Sequence, residues 1–256
     1  MNLKDFFAEH PKCALAFSGG TDSAYLLYAA VQYGCDIRAY FMRTVLQPEF
    51  EYQDARKIAE QLGVDLQVVS CQILEDERIR TNPANRCYYC KQKTFSEIRS
   101  QALADGYPFI LDGTNASDEA GDRPGMKALV ELDILSPLRL CGITKTEIRR
   151  LSREAGLFTY QKPSYACLAT RIASGHEIRK EDLRRVEQAE NALRNMGFQN
   201  FRIRMYRYGD GVAALETEKG QWQYAQDHLA EIQETLCPWY RQVILEETYR
   251  DVEEIP

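Results

Sequence analysis

Short apolar runs alternate with amphipathic stretches over roughly the first 160 residues. Cys13-Ala14-Leu15-Ala16-Phe17 is continuously apolar, the pattern of a strand covered on both faces. Over residues 24–33, Leu26, Leu27, Ala30 and Val31 share one helical face. Residues 36–41 read as a second strand. Residues 51–62 place Ala55, Ile58, Ala59 and Leu62 at helical spacing before Gly63 as a stop. A third strand is expected at 66–69 and a helix at 91–103. A short strand at 109–111 then runs into Asp112-Gly113-Thr114-Asn115. Asp122-Arg123-Pro124-Gly125 reads as a turn, and Ile134-Leu135-Ser136-Pro137-Leu138 as a last strand broken by proline. Residues 144–155 form a helix with Thr144 as N-cap, Glu147 three residues on and Gly156 as stop. Lys145 and Arg149, four apart on it, read as a solvated face. Strands that alternate with helices predict a parallel, doubly wound α/β sheet.

The pattern then changes. Residues 157–175 show no clear period and read as a linker that carries chemistry. Residues 180–196 form a long charged amphipathic helix. Residues 201–206 alternate, with Phe201, Ile203 and Met205 on one face and Arg202, Arg204 and Tyr206 on the other. Residues 211–216 follow a Gly-Asp-Gly turn as a partner strand. A helix at 221–234 and a strand at 242–246 complete a small α+β domain. The expected division is 1–175 and 176–256.

Composition narrows the function classes. A chain of 256 residues with 45% hydrophobic content supports a proper core. It has no apolar run of about 18 residues, so no transmembrane helix is expected. Its first residues lack the basic and apolar regions of a signal peptide, which makes the cytoplasm the expected compartment. The net charge of −6 favours a small-molecule substrate over a long nucleic acid. Eight cysteines in such a chain point to metal, catalysis or apolar packing rather than to a disulfide framework.

The first candidate site is Ser18-Gly19-Gly20-Thr21-Asp22-Ser23, between the first strand and its helix. A glycine-rich turn at a helix N-terminus presents N–H groups and the positive end of the dipole to an anion. Gly19 and Gly20 allow positive φ and close approach. Ser18, Thr21 and Ser23 add hydroxyls, and Asp22 is placed to cap the helix or hold a metal. The loop lacks the Lys-Ser/Thr pair of a Walker A motif and the spacing of a dinucleotide loop. Its order resembles the pyrophosphate loop of the N-type ATP pyrophosphatases, which transfer AMP to a substrate oxygen. The resemblance implies ATP and Mg²⁺ as cofactors. It also implies that Met42 and Arg43, after the second strand, lie beside adenine, and that Gly113 and Thr114 form a second nucleotide-side loop.

The second candidate site is built from thiols. Cys87-Tyr88-Tyr89-Cys90 begins a helix, where the dipole favours a thiolate. Cys167 is the remaining cysteine in a polar context. Cys13, Cys35, Cys71, Cys141 and Cys237 read as small buried hydrophobes. Cys87, Cys90 and Cys167 could hold a [4Fe–4S] cluster through three irons, leaving the fourth open to an exogenous sulfide. A Cys₃His zinc site using His176, or a lone nucleophile at Cys167, are the alternatives.

Taken together, these motifs are similar to the ATP-dependent sulfur transferases of the nickel-pincer nucleotide pathway, the LarE family. The segments that match are Ser18 to Ser23, Arg86 to Lys91, Gly113-Thr114-Asn115, Arg123-Pro124-Gly125, Ser136-Pro137-Leu138 and Pro163 to Arg171. The resemblance covers nearly the whole chain, and Pro-Ser-x-x-Cys-Leu-Ala is its most specific part. It implies adenylation of a carboxylate of pyridinium-3,5-dicarboxylate mononucleotide, followed by displacement of AMP by sulfur. Some members sacrifice the sulfur of the cysteine that matches Cys167. Others carry three cysteines and use a cluster-bound sulfide. It further implies that Arg202 and Arg204 grip the substrate phosphate, that Glu216 is a metal or substrate residue, and that the chain forms a homo-oligomer, with hexamers among relatives. Arg171 is expected to face the substrate carboxylate. The rival readings are a tRNA thiolase of the same loop type, an ammonia-using synthetase of the NAD or GMP type, and a non-enzymatic nucleotide or cluster-binding module.

Overall fold

Four parallel strands, β1 (Lys12–Ala16), β2 (Asp36–Arg43), β3 (Leu66–Ser70) and β4 (Phe109–Leu111), lie in the order β3-β2-β1-β4. They come from a computed structural model that describes residues 1–118 and 124–247. Alternation along the strands explains why both faces are covered. Cys13, Leu15, Ala39, Phe41 and Leu111 join one apolar cluster. Ala14, Tyr40, Met42 and Ile110 join the other. The helices Thr21–Gln32 and Lys145–Glu154 pack on the first face through Leu26, Leu27 and Ile148. The helices Arg86–Ala104 and Pro124–Glu131 pack on the second through Ile98, Ala102 and Leu129. This is the doubly wound α/β sheet that the strand–helix alternation predicts.

Two compact units emerge, one of residues 1–75 and 85–162, the other of 76–84 and 163–247. The stretch read as a linker is thus divided between them after Lys162. The excursion of residues 76–84 into the second unit rests on Asn82. Its side chain donates to the carbonyls of Ile172 (3.3 Å) and Ala173 (3.0 Å), and its own carbonyl accepts from Gly175 N at 2.9 Å.

The second unit holds β5 (Arg202–Met205), β6 (Val212–Glu216) and β7 (Gln242–Leu245). The β5–β6 pair is antiparallel and the β6–β7 pair parallel, giving a small mixed sheet. The helix Lys180–Asn195 buries Leu183, Val186, Ala189 and Leu193, and Ile203 and Met205 are buried on β5.

Three local expectations are corrected. Residues 134–138 form no strand: Leu135 makes one bridge to Leu111, and Pro137 starts the short helix Pro137–Leu140. Proline is tolerated there because the first helical N–H has no partner to lose. The helix expected at 221–234 is two, Trp222–Asp227 and Leu229–Leu236, divided at His228. Cys237 is exposed rather than buried. The turn expected at Asp122 and Arg123 lies outside the described residues.

Candidate active site

The strand order reverses direction between β1 and β4, so the ligand crevice of such a sheet opens at their carboxyl ends. Both ends carry the expected loops. Gly19 has φ +71°, and a Cβ there would lie 2.8 Å from Ala55 N and 3.0 Å from Ala55 Cβ. Glycine is required by conformation and by space. Gly20 adopts an ordinary φ of −81°, so the expectation of positive φ holds for Gly19 alone. Gly113 approaches Ser23 so closely that a Cβ would meet Ser23 N at 3.0 Å. The two loops therefore meet with no side chain between them. Replacing Gly19 with alanine is expected to cost roughly 1–2 kcal/mol for the left-handed backbone alone, before any displacement of Ala55. Denaturant titration of the variant checks this, and nucleotide binding should fall with it.

Side chains tie the loop inward. Ser18 Oγ and Ser23 Oγ are 3.1 Å apart, and Thr21 Oγ1 donates to Thr159 O at 2.8 Å. Thr114 and Ser136 hydroxyls both donate to the buried carboxylate of Asp112, which fixes the second loop. Asp22 does not cap its helix; it accepts from Lys145 Nζ at 2.9 and 3.0 Å. Burial holds the Asp22 carboxyl above its ordinary range, and Lys145 pulls it back only in part. The reading of Lys145 and Arg149 as a solvated face is thus overturned. Arg149 is 1% exposed and donates to the carbonyls of Tyr160 and Lys162. Lys162 pairs with Asp54 at 2.7 Å and donates to Gly19 O at 3.3 Å. A signal for Lys145 was present in the sequence. Crossover helices of such sheets start beside the carboxyl ends of the strands, so a lysine directly after an N-cap points at the ligand end.

Beside the loop lies a cavity of about 170 Å³, lined mainly by apolar groups of Ala16, Phe17, Met42, Phe95 and Ile98, with Ser18 at its rim. Met42 forms part of its wall. Arg43 does not line that cavity: it pairs with Glu49 at 2.8 Å and lies over the Tyr52 ring at 4.4 Å. The cradle that a Cβ would fill, the cavity and the Lys145–Asp22 pair fit a nucleotide triphosphate with its divalent cation.

The thiols divide between the units. Cys87 and Cys90 sit one turn apart at the start of the helix Arg86–Ala104, with Cys87 exposed and Arg86 Nη2 3.8 Å from its Sγ. Cys167 belongs to the second unit, in a tight turn where its carbonyl accepts from Thr170 N and Oγ1 at 3.0 and 2.9 Å. Among the described residues no three His, Cys, Asp or Glu side chains converge as a metal site. His176 is stacked on Tyr206 at 5.0 Å.

Arg171 departs from its expected role. It is fully buried and binds Glu190 at 2.8 and 3.1 Å rather than facing a substrate. Its remaining nitrogen donates to Ala166 O at 2.7 Å and Thr170 Oγ1 at 2.9 Å. Burial pushes against the charge, yet Glu190 holds the guanidinium above its ordinary value. Tyr165 also donates to Glu190 at 2.6 Å; burial first, then Glu190, pushes its phenol up. Glu190 thus clasps both sides of the cysteine turn. Sequence reasoning missed it because a glutamate inside a charged helical stretch has no signature of burial. Glu190→Ala strands Arg171 as a buried, uncompensated charge and is expected to cost about 3–5 kcal/mol, read as a lowered denaturation midpoint. Arg204 binds Glu216 at 2.9 and 3.0 Å, and Arg207 approaches the same carboxylate at 3.2 Å. Glu216 is held below the usual carboxylate range: burial opposes this, and Arg204, Arg207 and Arg202 prevail. The expected arginine strand is therefore a basic cluster around a buried acid.

A strand, an S-G-G-x-D-S turn and a helix at the switch point of a parallel sheet define a PP-loop ATP pyrophosphatase. No protein-family model matches the chain, but individual proteins do. It is 32% identical over 207 residues to the pyridinium-3,5-bisthiocarboxylic acid mononucleotide synthase of Lactiplantibacillus plantarum, covering 80% of this chain and 74% of that one. It is 36% identical over 206 residues to an uncharacterised protein of Synechocystis, covering 79% and 76%. A tRNA-specific 2-thiouridylase of Pseudothermotoga lettingae is 28% identical over 187 residues, 59% of this chain and 54% of that one. The chain belongs to the LarE family of sulfur transferases, within the PP-loop superfamily. It is an ATP-using, sulfur-transferring enzyme with a small-molecule substrate. No helix among the described residues is long and apolar enough to cross a membrane.

Proposed function

We propose that this enzyme adenylates a carboxylate of pyridinium-3,5-dicarboxylate mononucleotide and converts it to a thiocarboxylate with sulfur carried by Cys167. The observation that supports this most is the pairing of a phosphate-type loop, closed on Asp22 by Lys145, with a base-sized apolar cavity at the same strand ends. A free carboxylate is a poor acyl donor because oxide would have to leave. A carboxylate oxygen attacks the α-phosphorus, pyrophosphate departs, and AMP becomes the leaving group. Ser18 to Ser23 and Lys145 hold the departing pyrophosphate. Asp22 is the residue that would meet a divalent cation, which when bound neutralises phosphate charge.

The Cys167 sulfur then attacks the acyl carbon and AMP leaves. Loss of the Cys167 Cα proton with cleavage of Cβ–Sγ frees the thiocarboxylate and leaves dehydroalanine. Arg202 and Arg204 are the proposed cationic grip for the substrate phosphate. A second version assigns Cys87, Cys90 and Cys167 to a [4Fe–4S] cluster, which when bound would supply an iron-held sulfide. The pair Cys87, exposed, and Cys90, half-buried, on one helical turn favours it.

The test is incubation of anaerobically purified protein with ATP, Mg²⁺ and the mononucleotide. AMP, pyrophosphate and thiocarboxylate are expected; ADP as the nucleotide product would sink the reading. Mass loss of H₂S at Cys167 in iron-free protein supports the cysteine donor. Multiple turnovers with iron and sulfide present support the cluster. A homo-oligomer, expected by resemblance, is read from light scattering of the same preparation.

A further inference from the structure

We propose that Lys162 is a positioning residue that couples occupancy of the phosphate loop to the reactivity of the Cys167 thiol. The proposal rests on the reading above for the role of Cys167. Residues 159–162 are stitched to the phosphate loop and the helix beside it. Thr21 Oγ1 holds Thr159 O at 2.8 Å, and Arg149 holds Tyr160 O and, at 3.0 Å, Lys162 O. Lys162 Nζ reaches back to Gly19 O at 3.3 Å. The same ammonium is shared with Asp54 at 2.7 Å.

This run of chain is the root of the segment that carries Cys167, five residues further on. Its main chain is fixed by buried donors, while its one cation is divided between a carboxylate and the loop backbone. A triphosphate entering the loop competes with Asp54 for that ammonium, because charge attraction at a few ångströms is strong in a partly dry site. Drawn onto the phosphates, Lys162 pins the root from both its ends. The segment beyond it loses freedom, and the thiol is withdrawn from external electrophiles while nucleotide is bound. Sulfur is thereby kept for the acyl carbon while the activated acid forms.

The experiment is alkylation of Cys167 by iodoacetamide, followed by peptide mass spectrometry, with and without Mg²⁺ and α,β-methylene-ATP. In the native protein the nucleotide is expected to slow alkylation at least about threefold. In Lys162→Met the nucleotide effect is expected to vanish, and Lys162→Arg to restore most of it. Asp54→Asn, which removes the competing carboxylate, is expected to lower the nucleotide concentration for half-protection about threefold and serves if Lys162→Met does not fold. With ATP and the mononucleotide at saturation, Lys162→Met should form less thiocarboxylate per AMP, whatever its loss of AMP formation. The proposal is overturned if Lys162→Met keeps full protection, if native Cys167 is indifferent to nucleotide, or if AMP and thiocarboxylate fall in parallel. The alkylation measurement needs no acceptor, so it stands apart from failure of the proposed reaction, which shows as native protein that forms no AMP.

Discussion

Cys167→Ser is expected to abolish thiocarboxylate formation, a loss of about 10³-fold or more, while AMP and pyrophosphate still form. The expectation follows from chemistry rather than packing. A serine hydroxyl is not ionised near neutral pH, and removal of an attacking group is among the costliest single changes an enzyme can suffer. The turn itself should survive, because a serine keeps the carbonyl that braces it: Thr170 N and Oγ1 and Arg171 Nη1 all donate to that oxygen. The acyl adenylate then has only water to meet, so AMP accumulates with unchanged acid. Liquid chromatography with mass detection follows both products in one reaction. Cys87→Ser and Cys90→Ser divide the two sulfur sources: indifference to both fits the lone thiol, and loss equal to that of Cys167→Ser fits a shared cluster. Normal thiolation by Cys167→Ser would defeat both versions.

The phosphate loop was legible because its signal is local. Six consecutive residues between an apolar run and an amphipathic one fix a backbone shape, and Gly19 meets both the φ and the space that shape demands. The doubly wound sheet was legible for a similar reason, since short apolar runs and period-3.6 stretches alternate up to Leu111. The residues that escaped are those whose meaning depends on distant partners. Lys145 finds Asp22 across 123 positions, and Lys162 finds Gly19 across 143. Arg149 and Glu190 sit in charged helical stretches whose pattern reads as solvent-facing, yet both are buried on polar partners. Arg171 shows the same limit in reverse. Its closeness to Cys167 suggested substrate contact, but a guanidinium offers five donors, and the cysteine turn with Glu190 engages them internally. Pro137 was misjudged because proline both ends a strand and begins a helix, and the apolar run around it fits either.

Lys145→Met is expected to lower AMP formation by about 10²–10³-fold, the scale seen when one preorganised donor to developing charge is removed. The effect on folding should be small by comparison. The Lys145–Asp22 pair is only partly buried, about a quarter exposed on both sides (23% and 25%), so its loss falls between the about 1 kcal/mol or less of a surface pair and the several kcal/mol of a fully buried one. Asp22 is also already held above its ordinary range by burial. Without the ammonium it takes up a proton more readily instead of remaining a buried charge. The melting temperature should therefore move by a few degrees at most, while pyrophosphate release nearly stops. Lys145→Arg keeps the charge but exchanges a compact ammonium for a planar fork, so partial recovery is expected. Melting curves and pyrophosphate release, measured on the same three proteins, separate the roles. A Lys145→Met protein that releases pyrophosphate at the native rate, or one whose activity falls only as far as its folded fraction does, would remove Lys145 from the phosphate site.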